Sequence, residues 1–147
     1  MTDEFAGLYR DTDHGVMVLS TCAEGRVTSR AMSVVAINGR FYCQTNRNYL
    51  KCRQIAANPN VSLCFGRYTI EGICSIKGHP KEDARFMDAL RRVYPDAAER
   101  WSDLPEECVL EITPRLVRSW IYEDGVPYIE EWDMDERTYS RIIQQNV

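Results

Sequence analysis

Histidine is scarce in this chain of 147 residues: His14 and His79 are the two present. They lie far apart in sequence, and each reads as a loop or surface residue rather than a catalytic base. No apolar run is long enough to span a bilayer, so no membrane partner is expected. Basic residues are not in excess: 18 Lys and Arg stand against 22 Asp and Glu, for a net charge of -4. That balance excludes the electropositive footprint of a nucleic-acid binder. The G-x-S-x-G, P-loop, H-E-x-x-H and G-x-G-x-x-G patterns are all missing. Serine hydrolases, P-loop NTPases, zinc proteases and dinucleotide folds lose their signatures with them, and no catalytic residue is assigned. The opening Met1-Thr2-Asp3-Glu4-Phe5 is acidic and lacks the basic start of a secretory signal. A cytoplasmic location is the expectation.

Cysteine is present but unpatterned. Cys22, Cys43, Cys52, Cys64, Cys74 and Cys108 contain no C-x-x-C pair and no zinc-like spacing with histidine. All six are expected as reduced thiols in or near the core, with no metal.

The length fits a single domain, residues 1–147. Residues 3–10 place Phe5, Leu8 and Tyr9 on one helical face, so an N-terminal helix is expected within 1–12. Val16 to Leu19 reads as a buried strand. Residues 26–37 form a long β-rich run that ends at Asn38-Gly39, a hairpin signal because both turn positions need positive φ. Arg40 to Thr45 returns. Residues 48–58 change to a helical period, and Pro59 stops them. Residues 61–65 and 68–77 are strands again. Residues 81–94 repeat Phe86, Met87, Leu90, Val93 and Tyr94 at helical spacing before Pro95, and 97–101 add a short turn of helix. Val109 to Tyr122 is a long strand whose Pro114 predicts an edge or a bulge. Asp124-Gly125 turns into Val126 to Trp132. The tail 134–147 is left open between a helix packed on a partner subunit and a loose end. About seven strands with regular hairpins argue for a mainly β, antiparallel barrel with few helices.

The chemistry-bearing stretch is Ser29-Arg30-Ala31-Met32-Ser33 with Tyr42 to Lys51. Polar residues interrupt two neighbouring strands, and the second strand runs into a helix. A strand-to-helix junction offers free N–H groups and a positive dipole end. Asn46 or Asn48 can cap that helix, Lys51 falls in its first turn, and Arg30 can reach across. The pattern suits one phosphate monoester; it equally suits a capped helix with solvated basic residues.

The run from Gly15 to Gly78 resembles the pyridoxamine 5'-phosphate oxidase-like FMN-binding split β-barrel family. The matching pieces are Val18-Leu19-Ser20-Thr21, Arg30-Ala31-Met32-Ser33, Gly39-Arg40-Phe41-Tyr42, Thr45-Asn46 with Lys51, Asn58-Pro59-Asn60-Val61 and Ile70-Glu71-Gly72. Pro114-x-x-Val117-x-x-Trp120 is a weaker echo. The resemblance implies that Arg30, Ala31, Met32 and Ser33 line the flavin and its ribityl chain. It implies main-chain contacts from Gln44, Thr45 and Asn46, and a phosphate held by Lys51. Arg67 falls where a polar flavin contact is common, and Trp120 of a second subunit would pack beside the ring. Where the family often has Ser-Arg before the lysine, this chain has Tyr49-Leu50, which implies a weaker phosphate grip unless Arg47 substitutes. No match to the vitamin oxidases' C-terminal arginine motif is present, and Glu130-Glu131 occupies that region.

The resemblance therefore implies a homodimeric, FMN-dependent oxidoreductase acting on a small-molecule substrate, with FAD or deazaflavin as alternative cofactors. A non-enzymatic flavin-binding or stress-associated protein is the second reading. Haem binding through His14 or His79 is the third. The dimer also follows from the aromatics gathered late in the chain, Trp120, Tyr122, Tyr128 and Trp132.

Overall fold

The computed structural model describes residues 1–144. Helix α1 (Asp3–Asp11) opens the chain, and Thr2 caps it by accepting from the Phe5 N–H. Strands β1 (His14–Ala23), β2 (Arg26–Ile37) and β3 (Arg40–Asn46) follow as a meander. The turn between β2 and β3 is the expected one, with Asn38 and Gly39 both at positive φ. Helix α2 (Leu50–Ala57) comes next, then β4 (Asn60–Phe65) and β5 (Tyr68–Ile76). The long helix expected over 81–94 is divided. A 3-10 turn covers Pro80–Glu82, and the Asp83 side chain then caps α3 (Ala84–Val93). Pro95 opens a further helix, α4 (Pro95–Trp101), in the first-turn position where its missing N–H costs nothing. Strands β6 (Glu107–Glu123), β7 (Val126–Asp133) and β8 (Thr138–Ile143) complete the described chain.

β8 corrects the expectation for the tail. Residues 134–144 are neither a helix nor a loose end, because β8 pairs antiparallel with β7 from Thr138 to Ile143. Its residues are mostly exposed, so no apolar alternation marks it in the sequence. The described residues thus hold eight strands rather than seven; the last three of the expected tail, 145–147, lie outside the description.

All strands belong to one antiparallel sheet in the order β3-β2-β1-β4-β5-β6-β7-β8, and a β3–β6 pairing closes the first six into a barrel. β6 has two partners in succession. Glu107–Ile112 pairs with β3, and Leu116–Glu123 pairs with β7. Pro114 falls at the handover, and the register against β5 shifts there, between Glu71 and Gly72. The proline thus marks a bulge, not an edge. Inward residues Met17, Leu19, Val34, Cys43, Leu63, Ile70, Leu110 and Ile112 are fully buried and form the barrel core. α1 closes one end through Phe5 and Leu8, and the Trp132 indole N–H donates to the Glu4 carbonyl. On the outer wall, Phe86, Met87, Leu90 and Ala98 pack α3 and α4 against Val35, Tyr42 and Val109. No described helix is long and apolar enough to cross a membrane.

Candidate functional site: a split between two strands

β2 and β3 pair only from Val35–Ile37 to Arg40–Tyr42. Beyond Val35 and Tyr42 they splay apart, while β3 stays paired to β6 through Asn46. The backbone groups of β3 that face β2 therefore have no strand partner beyond Tyr42. A cavity of about 300 Å³ opens at this split. Its walls include Ala31, Met32 and Ser33 from β2 and Gln44, Thr45 and Asn46 from β3. Six residues expected at a cofactor site are thus brought together. Tyr49, Leu90, Ala97, Trp101 and Leu104 supply an apolar side that the sequence reading did not include. Gln44 anchors this side. Its amide donates to the Ala97 carbonyl at 3.4 Å and accepts from Ser102 Oγ at 2.8 Å.

Two cations stand near each other beside the split, next to its residues Ala31 and Thr45, although neither lines the cavity itself. Lys51 is only 8% exposed, and its ammonium donates to Thr45 Oγ1 at 2.8 Å. Burial pulls its pKa down, and the nearby Arg30 charge pulls it further. Arg30 donates to Thr21 Oγ1 at 2.7 Å, to Thr28 Oγ1 at 2.6 Å and to the Leu19 carbonyl at 3.3 Å. Gln54 of α2 locks the same threonines. Its Oε1 accepts from Thr21 at 2.5 Å and Thr28 at 2.7 Å, and its amide donates to the Arg26 carbonyl. All these partners are neutral. Neither cation makes an ion pair among the described residues, although ion pairs are frequent elsewhere on the surface. Two partly desolvated like charges without a counter-ion are unfavourable until an anion joins them.

The expected capping by Asn46 or Asn48 is not what forms. Tyr49 is the N-cap of α2 and gives no side-chain bond. Asn46 Oδ1 instead accepts from the Asn48 N–H at 2.8 Å, a local turn that competes with the cap. The uncapped helix start keeps N–H groups available beside Lys51. Cys52 follows Lys51 and donates to the Asn46 carbonyl at 3.6 Å; the neighbouring Cys108 draws its thiol pKa down, with Lys51 and Arg47 adding to the effect. All six cysteines are free. Cys43, Cys52, Cys74 and Cys108 are buried as expected, and Cys22 is half-buried. Cys64 corrects the expectation: it points out of the sheet and is exposed.

Two expected residues lie away from the cavity. Arg67 is saturated in a network near α1, donating to Ser119, Glu130 and the Tyr68 hydroxyl, with Asp11 at 3.7 Å. Trp120 stands exposed on β6, edge-on to Tyr122 at 4.5 Å between ring centroids. The histidines are likewise elsewhere. His79 accepts from the Lys81 N–H and bonds the Leu104 carbonyl, so both ring nitrogens are engaged. His14 bonds Asp13 on the surface.

The sequence reading missed Glu107. It is 5% exposed, lines the cavity, and burial raises its carboxyl pKa against the pull of His79 and Lys51. A glutamate heading a strand carries no signal that it is buried.

The donor set fits an FMN-like group. Lys51 and Arg30 would hold a dianionic phosphate, and the unpaired edge of β3 would offer main-chain contacts to a planar ring.

Comparison with known proteins agrees with this geometry. Residues 1–121 match the family model described as pyridoxamine 5'-phosphate oxidase. Over 114 residues the chain is 30% identical to general stress protein 26 of Bacillus subtilis, covering 71% of this chain and 79% of that one. Among solved structures it resembles a pyridoxamine 5'-phosphate oxidase-related, FMN-binding protein of Nostoc punctiforme. There the TM-score is 0.65 at 14% identity, over 97% of this chain and 95% of the other. It also resembles the haem-storage protein HutZ of Vibrio cholerae, with a TM-score of 0.61 at 14% identity over 76% and 87%. At such identities the solved structures establish the split-barrel fold alone. The family model spans most of the sequence, and the chain belongs to the pyridoxamine 5'-phosphate oxidase family.

Proposed function

We propose that the chain binds FMN in the β2–β3 split and acts as a flavin-dependent oxidoreductase on a small molecule. The observation that carries this reading is the Lys51–Arg30 pair, two neighbouring cations that form no ion pair among the described residues, beside an open strand edge. Bound FMN would supply the electron transfer. Lys51 and Arg30 bind the phosphate, and the Thr21, Thr28 and Gln54 hydrogen bonds hold the guanidinium in place. The backbone of Gln44, Thr45 and Asn46 orients the ring. Met32, Leu90, Trp101 and Leu104 exclude water from one side.

The working unit is a homodimer. Val16 and Val18 are 60% and 42% exposed on the outer face of β1. Val18 lies opposite Ala31 on one side and Cys64 on the other, both exposed. This apolar face reaches the rim of the split at Ala31, so a second copy seated there covers the cofactor. Trp120 and Arg67 would act at the flavin only from that second copy.

A non-enzymatic, stress-associated flavin carrier is favoured by one observation: Tyr49-Leu50 leaves no arginine beside Lys51. Haem ligation has less support, since His79 is committed at both nitrogens. Titration of the purified chain with FMN, followed by desalting and a visible spectrum, tests cofactor binding. Retained flavin that is reduced by NADH or NADPH and reoxidised by an acceptor supports the enzyme. Retained flavin with no turnover supports the carrier. No retained flavin overturns both.

A further inference from the structure

The outer wall of the cavity carries a second polar feature besides the phosphate cations. Asn46 and Glu107 are direct partners in the β3–β6 register, so their side chains leave the sheet on one face. Both line the cavity. Glu107 is 5% exposed as a residue, and its carboxyl makes no side-chain hydrogen bond or ion pair among the described residues; its oxygens stay accessible from the cavity it lines. A carboxyl on a largely buried residue that keeps its oxygens open to a cavity presents an unused acceptor to whatever fills that cavity. Asn46 uses its carbonyl on the Asn48 N–H and leaves its amide N–H groups free of protein partners. An amide donor thus stands beside a carboxyl acceptor. Tyr49 and Trp101, each about half exposed, stand on the apolar side of the same cavity.

We propose that Asn46 and Glu107 together read a ring edge presenting an N–H beside a carbonyl, the lactam or ureide edge of a planar heteroaromatic. Glu107 accepts from the ring N–H, and the Asn46 amide donates to the ring carbonyl. Tyr49, Trp101 and Leu104 cover the ring. The volume of about 300 Å³ suits a compact fused ring. This deepens the flavin reading, because an isoalloxazine carries such an edge. A separate substrate of the same chemistry would satisfy the pair equally.

Fluorescence titration of the full chain with lumazine and with 1,3-dimethyllumazine tests the pairing. The first has the ureide edge, and the second has its N–H groups methylated. Lumazine should bind about tenfold or more tightly than the dimethyl compound. That preference should vanish in Glu107→Leu and return in part in Glu107→Gln, which still offers a carbonyl acceptor. Asn46→Asp, which keeps the Asn48 contact but removes the donor, should weaken both probes, since the carbonyl it serves is present in each. Lys51→Ala should weaken FMN and leave lumazine unaffected, which separates failure of the flavin reading from failure of this one. FMN that displaces lumazine and weakens in Glu107→Leu identifies the flavin's own ring as the occupant. Lumazine that binds alongside FMN identifies a separate ligand. Absence of lumazine binding, equal binding of the two probes, a preference that survives Glu107→Leu, or a lumazine affinity unchanged in Asn46→Asp overturns the proposal.

Discussion

The Lys51 ammonium donates to Thr45 Oγ1 at 2.8 Å, which ties the first turn of α2 to the end of β3 that β2 has left. The contact satisfies one of three ammonium hydrogens and leaves the charge unneutralised. Holding Lys51 there without an ion pair costs the empty fold stability, a cost that a bound anion would offset. Burial and Arg30 both lower the Lys51 pKa. The unfolded chain then binds the proton more readily, so the ligand-free protein gains stability as pH rises through that lowered value. Lys51→Met should raise the dissociation constant for FMN by about 10- to 100-fold, the worth of a charge-assisted bond. In phosphate-free buffer without flavin, the same variant should melt at the same temperature or higher. A variant that melts earlier and still binds FMN would show that the lysine is structural.

The network around Arg67 makes a different demand on pH. The Tyr68 hydroxyl donates to Asp11 at 2.6 Å, and the Tyr139 hydroxyl donates to Glu130 at 2.6 Å. Burial raises both phenol pKa values, and the two carboxylates raise them further. A group whose folded value is raised stabilises fully below its unfolded value and loses that contribution above it. Stability should hold to about pH 10 and then decline. Tyr139→Phe should make the alkaline decline shallower, while stability near pH 7 falls by roughly 1 kcal/mol for the lost bond. Denaturant midpoints measured from pH 8 to 11 check the slope.

Gly72 marks the bulge at which β6 changes partners. A Cβ built there meets the Thr113 carbonyl oxygen at 2.7 Å and Ile112 Cγ2 at 3.0 Å. The obstacle is backbone, which cannot swing aside as a side chain can. Gly72→Ala should destabilise the fold by about 1–3 kcal/mol. Urea unfolding of the variant against the parent chain gives the difference, and a neutral result would mean that the bulge relaxes freely.

Most of the barrel was legible because its signals are local. Asn38-Gly39 specifies a turn, and Pro59 and Pro95 end helices wherever the chain goes. The stretch from Ala31 to Asn46 was legible because polar residues there break an otherwise apolar pattern, and the structure gathers them at one cavity. Glu107 was not, since its place in the cavity wall follows from its pairing with Asn46, a register partner distant in sequence. β8 was missed for a related reason: an edge strand with exposed side chains carries no periodic signature. Arg67 shows the opposite failure. The resemblance offered it to the flavin, and contacts as far off as Glu130 and Asp11 engage it instead.

In the proposed dimer, the exposed Val18 is where quaternary structure and cofactor would meet. It lies opposite Ala31, which lines the split, and opposite Cys64, which is also exposed. A valine at 42% exposure in the centre of a strand, flanked by Val16 at 60%, is a poor surface unless something covers it. Val18→Asp places a charge in that face without touching Lys51, Arg30 or the barrel core. Light scattering should then show a monomer at concentrations where the parent chain is a dimer. FMN affinity should fall by about tenfold or more, because the ring loses the wall that the second copy supplies. The circular dichroism spectrum should remain that of the parent. A monomeric parent chain would remove the dimer. A dimeric variant with weakened flavin would place the interface elsewhere. A monomeric variant with parental affinity would mean that one chain builds the whole site, and Trp120 would then have no part in it.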